Sequence, residues 1–182
     1  MILLFLSTKK SKLLITKNIL DKIVTFSPYK ADINVDAAFI IAFTGFLYIG
    51  EIIYPNRKAK DFSIIKALYS NVRIAPNGHL IVFYLKQSKT DKTYNGVNIQ
   101  IATILGDCLC PIAIIIWLFN YNLRPLLNLL FSVNNKAFSV LVVRKILSTR
   151  LAAGGILPNS YFNHSFYKGV VQYAHNCGFI EL

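Results

Sequence analysis

Residues 67–85 read ALYSNVRIAPNGHLIVFYL, and this stretch decides the fold. Upstream, apolar residues recur at helical spacing. Here the pattern changes to short runs rich in Val, Ile, Tyr and Phe, broken by the turn signal Pro76-Asn77-Gly78. Two runs, Ala67–Ile74 and His79–Leu85, are thus predicted to be strands, because β-branched and aromatic side chains suit a pleated surface and Gly supplies a turn. Val97–Ile101 gives a third strand after the polar stretch Thr90–Gly96.

Working outward, helices flank this small antiparallel sheet on both sides. Thr16 is placed to cap a helix whose Ile19, Leu20, Ile23 and Val24 share one face. Asp32 or Asn34 starts the next helix, expected to run to about Glu51 and to end before Pro55. Pro111 suits a first helical position. Tyr121–Lys136 lacks periodicity and reads as a loop with a short apolar piece. Phe138–Ala153 is predicted helical, with Ser139 as a cap and Gly154-Gly155 as the stop. A last helix is expected from near Asn163 to Gly178. The fold class is mainly α with a small antiparallel sheet (α+β), and 182 residues with no repeat or linker read as a single domain, 1–182.

Composition narrows the function. Twenty Lys+Arg against eight Asp+Glu leave a formal net charge of +12, while hydrophobic residues make up 54%. That much apolar material excludes a disordered basic tail. The charge points to a polyanionic partner, nucleic acid or an acidic membrane surface. Lys9, Lys10, Lys12, Lys17 and Lys22 read equally as a solvated face or as phosphate contacts. Three cysteines, Cys108, Cys110 and Cys177, are too few and too poorly spaced for a disulfide scaffold, so reduced thiols and an intracellular setting are expected. Cys108-x-Cys110 is no metal-ligand spacing, there is no phosphate-cradling Gly-rich loop, and neither metal nor cofactor is expected. The alternative from another class is a small basic membrane-associated protein anchored by residues 37–54 (AAFIIAFTGFLYIGEIIY). A spanning helix needs about 20 apolar residues, and Glu51 is costly in a bilayer, so a buried core segment is the better reading.

Three patches carry chemistry: Thr44-Gly-Phe-Leu-Tyr-Ile-Gly-Glu51, Leu85-Lys-Gln-Ser-Lys-Thr-Asp-Lys92 and His164-Ser-Phe-Tyr-Lys-Gly169. With Asp107-x-Leu-Cys-Pro111 and Arg150-Leu-Ala-Ala-Gly-Gly155 between them, their order resembles the catalytic domain of tyrosine recombinases. It is most similar to the recombinase-like domains of DIRS- and Crypton-type mobile elements, over residues 13–182. The resemblance implies phosphoryl transfer in DNA by a tyrosine nucleophile. Two arginines and a histidine or lysine would hold the phosphate, and a hairpin lysine would protonate the leaving oxygen. Fixed donors and cations at such a phosphate stabilise its developing charge.

Carried over by position, the family's Arg-x-x-Glu reads Tyr48-Ile-Gly-Glu51, and its His-x-x-Arg reads His164-Ser-Phe-Tyr167. His164 and Glu51 are retained; Tyr48 and Tyr167 stand at the arginine positions. The hairpin lysine matches Lys89, with Lys86 the second choice. Lys86, Lys92, Arg144, Arg150 and Lys168 are the implied DNA-contacting cations. Tyr173 lies too early for the nucleophile, which the resemblance places beyond Leu182, so the domain reads as degenerate and truncated, without strand cleavage by this polypeptide alone. DNA is the implied partner, with self-association in the family's manner and a nuclear location. Loss of the family's last helices predicts exposed apolar surface over Phe138–Gly178. A decayed reading frame fits the same substitutions. The decisive spatial expectation is that Glu51, Lys89 and His164 converge on one pocket.

Overall fold

The computed structural model describes residues 13–25, 33–53, 67–86, 95–104, 106–121, 129–133, 136–161 and 164–180. Among these residues six α-helices, α1 (Lys17–Thr25), α2 (Ile33–Thr44), α3 (Ile49–Ile52), α4 (Pro111–Tyr121), α5 (Val140–Ala153) and α6 (Ser165–Asn176), accompany a three-stranded antiparallel sheet of β1 (Val72–Ile74), β2 (Leu80–Leu85) and β3 (Val97–Ala102). The strand order is β1-β2-β3, with Val72 opposite Phe83 and Ile81 opposite Ile101. Strand β2 alternates half-buried and buried positions, so Ile81, Phe83 and Leu85 enter the core. This is the α+β architecture expected from the change of period at residue 67.

Several boundaries follow the local signals. The Thr16 hydroxyl accepts the Ile19 N–H at 3.4 Å, and the Ser139 hydroxyl accepts the Val142 N–H at 3.4 Å, so both caps act as read. Pro111 is the first residue of α4. Three expectations need correction. The helix expected up to Glu51 is two helices, α2 and α3. Between them Phe46 takes φ 55°, Phe46 N–H bonds to Phe43 O at 3.2 Å and Leu47 N–H to Ala42 O at 2.8 Å. This is a Schellman stop with a phenylalanine where glycine is usual. Second, only Val72–Ile74 of the first predicted strand is strand; Tyr69–Asn71 form a 3₁₀ turn, with Asn71 Oδ1 accepting the Leu68 N–H at 2.8 Å. Third, the stretch read as a loop contains a two-residue hairpin, β4 (Ser132–Val133) against β5 (Lys136–Ala137).

One continuous core joins all of these. α2 is buried on nearly every side, from Ile33 to Phe43, and packs on α4 and α6. That explains its unbroken apolar run from Ala37 to Phe43: a helical stretch with no polar face is one enclosed by neighbours. No helix among the described residues is long and apolar enough to cross a membrane. The apolar segment beginning at Ala37 is core, broken by the turn at residues 45–48.

Arg150, expected to face DNA, does not. Its side chain is 1% exposed, forms an ion pair with Asp36 of α2, donates to Ile23 O of α1 at 3.2 Å and lies 5.8 Å from the Phe39 ring centroid. A guanidinium so enclosed cannot reach a phosphate; it ties α1, α2 and α5 together.

Candidate nucleic-acid site

The site is built where the turn after α2 meets the start of α6. Gly45 allows the turn to come close: a Cβ there would lie 2.8 Å from Ile41 O and 3.1 Å from Ile101 Cδ1 of β3. The turn is thus seated against the sheet, and Thr44 Oγ1 donates back to Ile40 O at 2.8 Å. The chain then re-enters helix at Ile49. Tyr48 caps α3, and its N–H donates to Glu51 Oε2 at 2.9 Å. Glu51 therefore fixes the backbone of Tyr48.

On the other side, α6 carries His164 at its N-cap and Tyr167 in its first turn. Its position is set by the extended segment Leu13–Thr16. Leu13 N–H donates to Ser160 O and Ile15 N–H to Ser165 O, both at 3.0 Å, and Ile15 is fully buried. Gly169 is what permits this: a Cβ there would lie 1.8 Å from Ile15 O. Glycine inside a helix costs about 1 kcal/mol against alanine, and that misfit is the sequence signal of a close approach.

These elements bring two of the three patches together. The Tyr48 and Tyr167 rings stack with centroids 4.4 Å apart at 27°, and the His164 ring meets Tyr48 edge-on at 4.9 Å. Two arginines would repel at this separation without an anion between them; two phenols attract. Burial, and next the neighbouring Tyr167 and Glu51, push the Tyr48 hydroxyl above its ordinary pKa, so it remains a neutral phenol around neutral pH. The cluster offers neutral hydrogen-bond donors, an imidazole and aromatic faces, but no fork of fixed positive charge.

Lys89 and Lys92 lie outside the described residues, as does most of the hairpin tip, so the three-way convergence is seen for Glu51 and His164 only. Lys86 is half-buried at the end of β2; Arg144 on α5 and Lys168 on α6 are exposed. The expected absence of a metal meets one cluster that the sequence did not suggest. Ligand atoms of Asp21, Asp107 and Cys108 lie within 4.8 Å of one another. Lys17 Nζ bridges the two carboxylates, 3.2 Å from Asp21 Oδ2 and 3.0 Å from Asp107 Oδ2, which makes the group an ion-pair clamp.

No protein-family model matches this chain, and no curated protein does. Among solved structures it is similar to the XerH site-specific recombinase, crystallised with its difH substrate in a pre-cleavage complex. The TM-score is 0.59 over 92% of this chain, at 11% sequence identity. The fold is tyrosine-recombinase-like. The chain spans 44% of that recombinase's length. Within this recombinase-like fold, the positions that sequence resemblance assigns to one site, Tyr48, Glu51, His164 and Tyr167, are spatial neighbours.

Proposed function

We propose that this chain is a DNA-binding, tyrosine-recombinase-like domain related to DNA integration and site-specific recombination, descended from a DIRS- or Crypton-type mobile element and unable to cleave DNA. The observation that carries the reading is the convergence of Tyr48 and Glu51 with His164 and Tyr167, more than a hundred residues away, in a fold of this kind. The solved neighbour binds its difH substrate; DNA as partner of this chain, self-association and a nuclear location belong to the same proposal. Lys89 serves as the hairpin lysine, with Lys86 the second choice.

Loss of activity follows from the chemistry of the two tyrosines. Removing one preorganised donor from such a site costs about 10²–10³ in rate, and a phenol replaces neither the charge nor the bidentate geometry of a guanidinium. Binding then rests on cations of the chain, among them Lys86, Lys92, Arg144 and Lys168. A gel-shift series on duplex DNA tests this: log affinity should fall linearly with log salt, with a slope of roughly −0.9 per phosphate neutralised. A flat salt response overturns the proposal. Covalent protein–DNA adducts on a denaturing gel would overturn its inactive half.

A further inference from the structure

The aromatic side chains of this region do more than fill two arginine positions. Phe46 and Tyr173 are each 43% exposed, and Tyr48, Tyr167 and His164 are half-buried. Tyr167 and Tyr173 lie about 9 Å apart along the axis of α6, at 1.5 Å per residue. Both rings meet the same short segment, residues 43–48. Tyr167 stacks on Tyr48, and Tyr173 lies 6.3 Å from Phe43 at 52°. Tyr167 and Tyr173 are thus each braced on that segment and partly solvent-facing, and Phe46 within it is exposed. Lys168, exposed, follows Tyr167 directly, on a chain of net charge +12.

We propose that these rings, Tyr167 braced by Tyr48, Tyr173 braced by Phe43 and the exposed Phe46 of the same segment, form a stacking platform for the bases of an unpaired nucleic-acid strand. The inference rests on the nucleic-acid reading above and names the form of ligand that the altered site prefers. A duplex presents phosphates at its surface and hides its base faces, so it gains little from neutral rings. An unpaired strand presents both, and every base has a face that stacks on an aromatic ring. Positive charge supplies attraction to its backbone, and rigid rings supply the contact that tolerates any sequence. The stacked tyrosines need no ionisation for this role, consistent with a Tyr48 hydroxyl held neutral.

The test compares a fluorescein-labelled oligothymidylate with a duplex of equal phosphate number by anisotropy, using the full chain at fixed salt. The single strand should bind more tightly. Phe46→Leu, Tyr173→Leu and Tyr167→Leu should each weaken single-strand binding on the order of 5- to 150-fold, and the first two should leave duplex binding and the salt slope unchanged. Tyr167→Phe, which keeps the ring, should bind like the parent. Lys168→Ala should instead lower the single-strand salt slope by about 0.7. Should Tyr167→Leu fail to fold, the two exposed positions carry the comparison. Duplex binding as tight as single-strand binding, or ring variants that weaken both alike, overturns the platform while sparing DNA binding. Failure to bind either form overturns both readings.

Discussion

Replacing Gly169 with alanine should unseat α6. The new Cβ would sit 1.8 Å from Ile15 O, 2.6 Å from its carbonyl carbon and 3.2 Å from its nitrogen, all backbone atoms with no rotamer to escape into. Overpacking of this kind costs about 1–3 kcal/mol. Displacing the segment also breaks the Leu13–Ser160 and Ile15–Ser165 hydrogen bonds, at about 1 kcal/mol each. Alanine returns about 1 kcal/mol of helix propensity. The net loss is about 2–4 kcal/mol, a sizeable part of a typical stability of about 5–15 kcal/mol. Thermal unfolding followed by circular dichroism should show a midpoint lower by on the order of 10 °C. Gly50→Ala is the control, since nothing lies within 4 Å of the place its new methyl group would occupy; it should be neutral or slightly stabilising. A Gly169→Ala protein as stable as the parent would refute the packing argument and, with it, the account of how His164 and Tyr167 are positioned.

Other outcomes follow from the same structure. Arg150→Ala leaves Asp36 without its buried partner and should cost about 3–5 kcal/mol in urea unfolding; a loss under about 1 kcal/mol would show that the ion pair is not enclosed as described. Asp107 is held below the ordinary carboxylate range, first by the Leu109 N–H and next by Lys17. A lowered folded value stabilises above the unfolded pKa of about 3.9 and is lost as pH falls through the folded one. The stability gap between parent and Asp107→Asn should therefore be at most about 1 kcal/mol near neutral pH, given its partial exposure, and shrink in acid. Burial pushes the Cys110 thiol up, but the Thr103 hydroxyl and the N–H groups of Ala113, Ile104 and Ile112 outweigh it and bring the net value down. Asp21, first, and burial push Cys108 up. Iodoacetamide labelling read by mass spectrometry should thus rise with pH at Cys110 before Cys108, and the reverse order would contradict the geometry.

What is legible in the sequence is local. Thr16, Ser139, Pro111 and the Pro76-Asn77-Gly78 turn act through neighbours one to three residues away, and each is where its chemistry predicts. The site is half legible. Residue types in a family-like order place Tyr48, Glu51, His164 and Tyr167 together, although spacing alone says nothing of a stacked pair. What stays hidden depends on distant partners. Arg150 looks like any surface cation until Asp36, Ile23 and Phe39 close around it. The stop at Phe46 escapes a sequence reading because phenylalanine with positive φ runs against local preference, and backbone hydrogen bonds to Phe43 and Ala42 close the turn around it.

The seat of Ile15 has a consequence for biosynthesis. A ribosome makes this isoleucine 154 residues before the glycine that leaves room for it. Until then the first apolar segment has no native resting place, and such delayed long-range closure slows folding and leaves greasy surface open to capture by chaperones.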